Sequence, residues 1–297
     1  MTAQLWRTFI PGEIPLGELH SLMLAAIGPR PISFVSTIDK AGRPNLAPFS
    51  FFNAFGSNPA TLVFSPARRG RDNTTKHTLD NVEVVPECVV NVVNFSMVEQ
   101  VSLASTDFDE GVNEFEKAGF TPIKSEHVRP FRVAESPASF ECKVEQILKM
   151  GNEGGAGNLV ICRILAVHYQ EGMFLETGKI DQVKMDLVGR MGYEYYVRAN
   201  SSSIFELPKP RTKQILGFDG LPKNIRESSF LSGNDLAKFA NLKTLPEAED
   251  LTLYKLENNL ATFSRQKLRE LGYIYLKNNE IEQAFKCLLL AEEAELF

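Results

Sequence analysis

PRPISFVSTIDKAGRPNLAPFSFFN, residues 29–53, decides the fold. Ile32, Phe34 and Val35 sit among the small hydroxyl residues Ser33, Ser36 and Thr37, a strand composition. Asp39-Lys40-Ala41-Gly42 supplies turn chemistry, with Asp first and Gly where a positive φ is needed. A second strand follows over Leu46–Phe52. Pro48 lies inside it, and proline cannot donate to a ladder, so the run is an edge or bulged strand. Such a strand, rich in Ser, Asn and Ala, is expected to leave backbone N–H groups and small side chains facing a ligand.

Working outward, Leu16–Ile27 has a helical period that Gly28-Pro29 ends. Thr61–Ser65 is a short apolar strand. Leu79, Val82 and Val85 indicate a short helix capped by Asn73, Thr74 or Thr75. Glu87–Phe95, ECVVNVVNF, is the strongest strand pattern in the chain. Met97–Leu103 and Asn113–Ala118 are short surface helices flanking an Asp-rich loop, and Gly119 closes the second. Ser139–Met150 and Asn158–Tyr169 form a hairpin across the glycine-dense segment 151–157, and Ile180–Val183 and Tyr195–Arg198 add short strands. No strand–helix alternation of crossover length occurs. Residues 30–198 are therefore mainly β, an antiparallel barrel or sandwich with peripheral helices.

Composition shifts at Ser201–Lys213, a Ser/Pro/Lys-rich linker. The expected division is 1–200, linker 201–213, and an α-helical C-terminal extension 214–297. In the extension, Leu253–Leu276 and Ile281–Leu296 are expected helices. Leu271-Gly272, Tyr275, Ala284 and Ala291 give this pair a likeness to one tetratricopeptide hairpin. The alternative is an amphipathic pair packing on the barrel or on a partner subunit.

With 297 residues, 43% hydrophobic and 23% charged, the chain is expected to be an ordinary soluble protein. Its net charge of −5 argues against nucleic acid as the main partner. No signal peptide is expected, and no apolar run of membrane-spanning length occurs in the sequence. The four cysteines lack metal or redox spacing, so reduced, buried thiols in a cytoplasmic protein are expected. The scattered histidines make no metal motif.

Three places can carry chemistry. Lys76 and Thr78 stand at a helix start, where free N–H groups favour an anion, with Arg68, Arg69 and Arg71 nearby; the alternative is a solvated basic loop. The glycine cluster is no dinucleotide fingerprint, and a flexible hairpin loop is the better reading. His168, in ILAVHYQ, lacks a spaced partner and is first a structural histidine. Arg190, between two glycines and beside Tyr193, Tyr195 and Tyr196, is placed to meet a ring or a phosphate, or else to be a surface ion-pair partner.

PRPISFVSTIDKAGRPNLAPFSFFNAF, LVFSPARRGRDNTTKHTLDNV, VVNVVN and GKIDQVKMDLVGRMGYEYY, in that order over about residues 15–200, resemble the flavin reductase-like FMN-binding split-barrel family. The branch is similar to the reductase component of nitrilotriacetate monooxygenase. The resemblance implies an antiparallel split β-barrel and a homodimer with FMN near the interface. It implies that Ser36 and Thr37 approach the flavin, that Asn45, Ala47, Pro48, Phe49 and Ser50 line the isoalloxazine and ribityl, and that Ser65, Lys76 and Thr78 hold the phosphate. Two departures stand out: the family's GRxGG becomes GRMGY, with Tyr193 in place of a glycine, and His77 follows Lys76 where Asp is common.

The expected function is NAD(P)H-dependent flavin reduction, with NADH or NADPH as donor and FMN, FAD or free flavin receiving hydride. Electrons would leave to free flavin, a partner oxygenase or another acceptor. The cofactor carries the chemistry, so no acid–base residue is expected to be indispensable, and His168 and Arg190 are candidates only on the acceptor side. The rival is an FMN electron carrier serving a protein partner.

Overall fold

A computed structural model describes residues 5–210 and 214–293, and of Glu293 the backbone only. It separates into two compact units, Met1–Phe205 and Glu206–Phe297, and the division falls inside the Ser/Pro/Lys-rich stretch. The last three residues of that stretch, 211–213, lie outside the described residues.

The first unit opens with helix α1 (Leu16–Ala26). The strands β1 (Arg30–Pro31), β2 (Ser33–Ile38), β3 (Pro44–Phe49), β4 (Phe52–Ser57) and β5 (Ala60–Phe64) follow, and then helix α2 (His77–Val84). Next come β6 (Glu87–Val92), the helices α3 (Val98–Leu103) and α4 (Glu114–Ala118), and the short pair β7 (Pro122–Ile123) and β8 (Arg132–Val133). The long hairpin β9 (Ala138–Lys149) and β10 (Asn158–Tyr169) precedes helix α5 (Gln182–Met185), β11 (Val188–Arg190) and β12 (Tyr196–Arg198).

Seven strands form one antiparallel sheet in the order β3-β2-β6-β9-β10-β5-β4. Its two edge strands, β3 and β4, are separated in sequence by only Ser50 and Phe51. Three Cα steps reach at most about 11 Å, so the sheet must curl until its edges meet. No ladder joins β3 to β4, and the barrel is split there. The hairpin that starts the curl is made as the sequence indicates. Asp39 Oδ1 accepts the N–H groups of Ala41 (2.9 Å) and Arg43 (2.8 Å), and Gly42 takes φ +84°.

All six residues of β2 are buried, because both of its faces are covered. Alternate side chains go to opposite sides. Val35 joins Leu62, Phe64, Val90 and Val160 in the barrel interior, while Phe34 and Leu46 meet Met97, Val101 and Phe115 beneath α3 and α4. The cysteines are all free and buried.

Local expectations are corrected in three places. The cap of α2 is Lys76, not an upstream Asn or Thr. Ile180 only bridges to Phe174, and Asp181 caps the short helix α5 by accepting from Val183 and Lys184 N–H, so no strand forms at 180–183. The expected helix 253–276 is two helices.

The second unit holds α6 (Lys223–Arg226), α7 (Gly233–Ala240), α8 (Ala248–Glu257), α9 (Arg265–Lys277) and α10 (Ile281–Glu293). Asn259 at φ +55° breaks the chain after α8, and Ser264 starts α9 by accepting the Lys267 N–H. The unit has its own core, in which Phe239 and Phe285 stack at 4.8 Å. Gly272 lets α9 and α10 close: a Cβ there would lie 2.9 Å from Leu288 and 3.2 Å from the Ala284 carbonyl oxygen.

Candidate functional site

The free edge of β3 is built differently from the expectation. Asp39 N donates to Arg43 O at 3.0 Å, which marks a hydrogen-bonded pair. The register then runs Thr37↔Asn45, Val35↔Ala47 and Ser33↔Phe49 without a bulge. Residues 44, 46 and 48 therefore turn their backbone groups away from β2. Two of these are Pro44 and Pro48, which have no N–H, and the third, Leu46, donates to Glu114 Oε2 at 3.0 Å. The strand is an edge, as its proline required, but it offers carbonyl acceptors rather than free donors.

Two adjoining cavities follow this edge. One, of about 170 Å³, is lined by Asn45, Ala47, Pro48 and Phe49 from β3, by Arg69 and Lys76–Thr78, and by Ala104–Phe108 and Glu114. The other, of about 230 Å³, lies between Pro48, Ser50, Ser102, Ser105, Arg190 and Tyr196, with Ile32 and Val101 behind. Pro48 and Ser105 belong to both walls, so the two form one trough.

The first end gathers three cations, with Asp107 and Asp72 facing them. Arg69 Nη2 lies 2.6 Å, Arg71 Nη2 2.6 Å and Lys76 Nζ 3.2 Å from the same carboxylate, that of Asp107. Hydrogen bonding from Arg69, followed by the nearby Lys76, holds the Asp107 pKa down at about 2, against the cost of burial. Arg69 is fixed further by Thr74 Oγ1 and the Thr75 carbonyl. The glycine loop supports this segment and is docked against it. Arg68 N donates to Ala156 O, Gly155 N donates to Arg68 O, and a Cβ on Gly154 would meet Arg69 O at 3.1 Å.

Beside the cations, Asn45 Nδ2 donates to Thr78 Oγ1 (2.9 Å) and Thr37 Oγ1 (3.2 Å), and Asn81 Nδ2 also donates to Thr37. This network locks α2 to the β2–β3 hairpin and leaves the Thr78 proton free to point into the cavity. Glu114 is 5% exposed, and burial raises its pKa above the ordinary carboxylate value.

Of the residues singled out from sequence, Asn45, Ala47, Pro48, Phe49, Lys76 and Thr78 meet in the first cavity, and Ser50 and Arg190 meet in the second. Ser36 and Thr37 are wholly buried and line neither cavity; Ser36 Oγ has no partner and Thr37 acts through Asn45. Ser65 is also behind the wall, its Oγ accepting the Asn158 N–H at 3.1 Å. His168 is not part of the trough. It sits 2.9 Å from Glu141, whose buried carboxylate also takes the N–H groups of Glu126 and His127 and so pins loop 124–131. Burial presses the Glu141 pKa upward, but those N–H bonds and His168 carry it below the usual range. Sequence reasoning missed Asp107 and Glu114 as wall residues. The Asp-rich loop was visible, whereas nothing local marks Glu114.

Arg190 does meet a ring: its guanidinium lies 4.5 Å from the centre of Tyr196. The flanking glycines are required by close approach. A Cβ on Gly189 would fall 2.8 Å from Pro29 Cβ, and one on Gly192 2.8 Å from Ala25 Cα. Tyr193, where the family pattern carries glycine, holds the left-handed φ of +54°.

The family model described as "Flavin reductase like domain" matches residues 26–184. The chain belongs to that family. An uncharacterized protein of Aquifex aeolicus (strain VF5) is 37% identical over 191 residues, 64% of this chain and 95% of that one. Among solved structures, nitrilotriacetate monooxygenase component B from Bacillus cereus is 27% identical with a TM-score of 0.64, covering 69% of this chain and 100% of its own. A chain with a split barrel domain from Shewanella frigidimarina NCIMB 400 is alike in fold, with 23% identity, a TM-score of 0.57, and coverage of 66% of this chain and 94% of that one. The flavin reductase-like chain is thus a split-barrel flavoprotein of oxidoreductase type, and residues beyond 184 lie outside the family model.

Proposed function

We propose that this chain binds FMN in the trough beside β3 and acts as an NAD(P)H-dependent flavin reductase. The observation that carries the reading is the convergence of Arg69, Arg71 and Lys76 on the single carboxylate of Asp107 at one end of a trough bordered by β3. Arg71 is also paired with Asp72 at 2.8 Å, so Arg69 and Lys76, which line the cavity, are the donors that suit a phosphate. The residues present fit FMN in this way. Lys76, Arg69 and Thr78 would hold the phosphate. Asn45, Ala47, Pro48 and Phe49 would border the ribityl and ring, and Ser50 would stand at the far end. Ser36, Thr37 and Ser65 support that wall from behind.

When bound, the flavin supplies the ring that accepts hydride; the chain supplies position and electrostatics. The outward carbonyls of β3 accept hydrogen bonds, the hydroxyls of Thr78 and Ser50 donate them, and Pro48 and Phe49 keep the wall dry. The donor is NADH or NADPH, and electrons pass on to free FMN or FAD, or to a partner oxygenase. Four free, buried thiols suit a reducing cytoplasm. The same reading makes the chain a homodimer, supported by apolar side chains left open on β4 and β10, and its mass in solution tests this.

Anaerobic addition of NADH or NADPH to the flavin-loaded protein is expected to bleach the long-wavelength flavin band within seconds. Absence of bleaching by either nucleotide would remove the reductase reading and leave an electron carrier. For the phosphate end, Lys76→Ala is expected to weaken FMN binding about ten- to hundredfold, the worth of one charge-assisted hydrogen bond. Riboflavin, which lacks the phosphate, should be affected far less. Equal FMN affinity in the variant would show that the phosphate lies elsewhere.

A further inference from the structure

The second cavity carries a donor set without an acid. The Arg190 side chain has no hydrogen bond and no carboxylate partner among the described residues, and the Tyr196 ring meets its guanidinium. Directly across the β1–β11 pairing stands Arg30, which is 5% exposed. Arg30 also lacks a carboxylate: it donates to the carbonyls of Leu24 (2.8 Å), Ile27 and Met191 (2.7 Å), and to Ser50 Oγ at 3.4 Å. Burial, and then the like charge of Arg190, press the Arg30 pKa down, the expected mark of positive charge packed without an anion.

Hydroxyls complete the set. Ser50 Oγ accepts from Arg30, so its own proton points elsewhere. Ser102 Oγ has no partner among the described residues, and it lines the same cavity. One guanidinium with unused donors, two available hydroxyl protons and no carboxylate lining the cavity make an oxyanion receptor. The Tyr196 ring lies against the guanidinium at 4.5 Å, and Ile32, Pro48 and Val101 give the cavity an apolar floor. The phosphate end proposed beside Asp107 is lined by different cations, Arg69 and Lys76.

We propose that the Arg190 cavity is a second anion site, which takes the phosphate or carboxylate group of the substrate that meets the flavin. Only the ownership of that anion rests on the flavin reading; the site itself rests on Arg190, Ser50 and Ser102.

The test is calorimetric titration of inorganic pyrophosphate and of benzoate into the FMN-saturated full chain, its Arg190→Gln variant and its Ser102→Ala variant. At least one anion should bind the unaltered protein. Arg190→Gln should weaken that binding about ten- to hundredfold and Ser102→Ala about three- to tenfold, in line with charged and neutral hydrogen bonds. A response to pyrophosphate alone assigns the site to the dinucleotide donor. A response to benzoate alone assigns it to a carboxylate acceptor, and a response to both supports the shared chemistry. If neither anion binds at millimolar concentration, or if binding ignores Arg190, the proposal is overturned. Should Arg190→Gln not fold, Arg190→Lys and Ser102→Ala decide on the same terms. A protein that takes no FMN would sink the flavin reading instead. The same titrations, made without flavin in a Lys76→Ala background, would still decide for or against Arg190.

Discussion

At the scale of single residues, Glu114 ties the site to the fold. Its carboxyl caps the one outward N–H that β3 possesses, so the edge cannot recruit another strand there, and it does so from within the cavity wall. Burial raises its folded pKa, which sets the sign of a pH effect. Below the ordinary value of 4.5 the group is protonated folded or unfolded and costs nothing. As pH rises from there through the raised folded value, the unfolded chain releases its proton first, and stability falls. Above that value the cost is fully developed. Glu114→Gln keeps an oxygen for Leu46 N–H and removes the ionisation. Its melting temperature relative to the unaltered protein should therefore be higher at pH 8 than at pH 4. A difference that does not widen with pH would mean that Glu114 ionises at no cost.

At the scale of elements, what the sequence made legible is what neighbours in sequence decide. The Asp39–Gly42 turn, the edge role of β3 and the contact of Arg190 with Tyr196 all arise within a few residues. The helix at Lys76–Thr78 was legible for the same reason, although its cap is Lys76 and not the Asn or Thr upstream. The opposite wall was not. Asp107 and Glu114 reach the trough from a loop and a five-residue helix, and Glu114 meets its strand 68 positions away. No periodicity encodes such a meeting. The β3 donors were misjudged because one proline was weighed and its partner two turns of the pleat earlier was not; Pro44 and Pro48 together remove the donors. In the second unit, the missed break between α8 and α9 was written in Asn258-Asn259 and Ser264. In the α9–α10 hairpin, Gly272 sits where the two helices close on one another. Gly272→Ala would set a Cβ 2.9 Å from Leu288 and 3.2 Å from a backbone oxygen. Overpacking of that kind costs about 1–3 kcal/mol, and the gain in helix propensity offsets up to about 1. Denaturant unfolding should show a net loss near 1–2 kcal/mol on these two estimates. A neutral or stabilised variant would show that the two helices have room to spare.

At the scale of the whole molecule, the first unit is short of partners for its own surface. Helix α1 buries none of its residues, yet Leu16 and Met23, and Ile27 just after it, are apolar and exposed. An isolated helix of eleven residues has little stability in water unless something covers a face of it. Strand β4, the second edge of the sheet, is exposed at five of its six positions, with Phe55 68% open. On β10, Leu165, Val167 and Tyr169 alternate along one face and are all exposed. Exposed apolar groups on three elements suit a covered surface, and the proposed homodimer would cover them with a self-complementary patch by two-fold symmetry. Light scattering on the purified protein should therefore give twice the chain mass of 33.2 kDa at micromolar concentration. Val167→Asp would place a charge in the covered face, where an unpaired carboxylate costs several kcal/mol, and should shift the mass to that of one chain. Because Val167 is already half exposed, the substitution has no core to disrupt, so the monomer should keep its thermal transition. A single-chain mass for the unaltered protein would leave α1 and β4 uncovered and require a different partner for them.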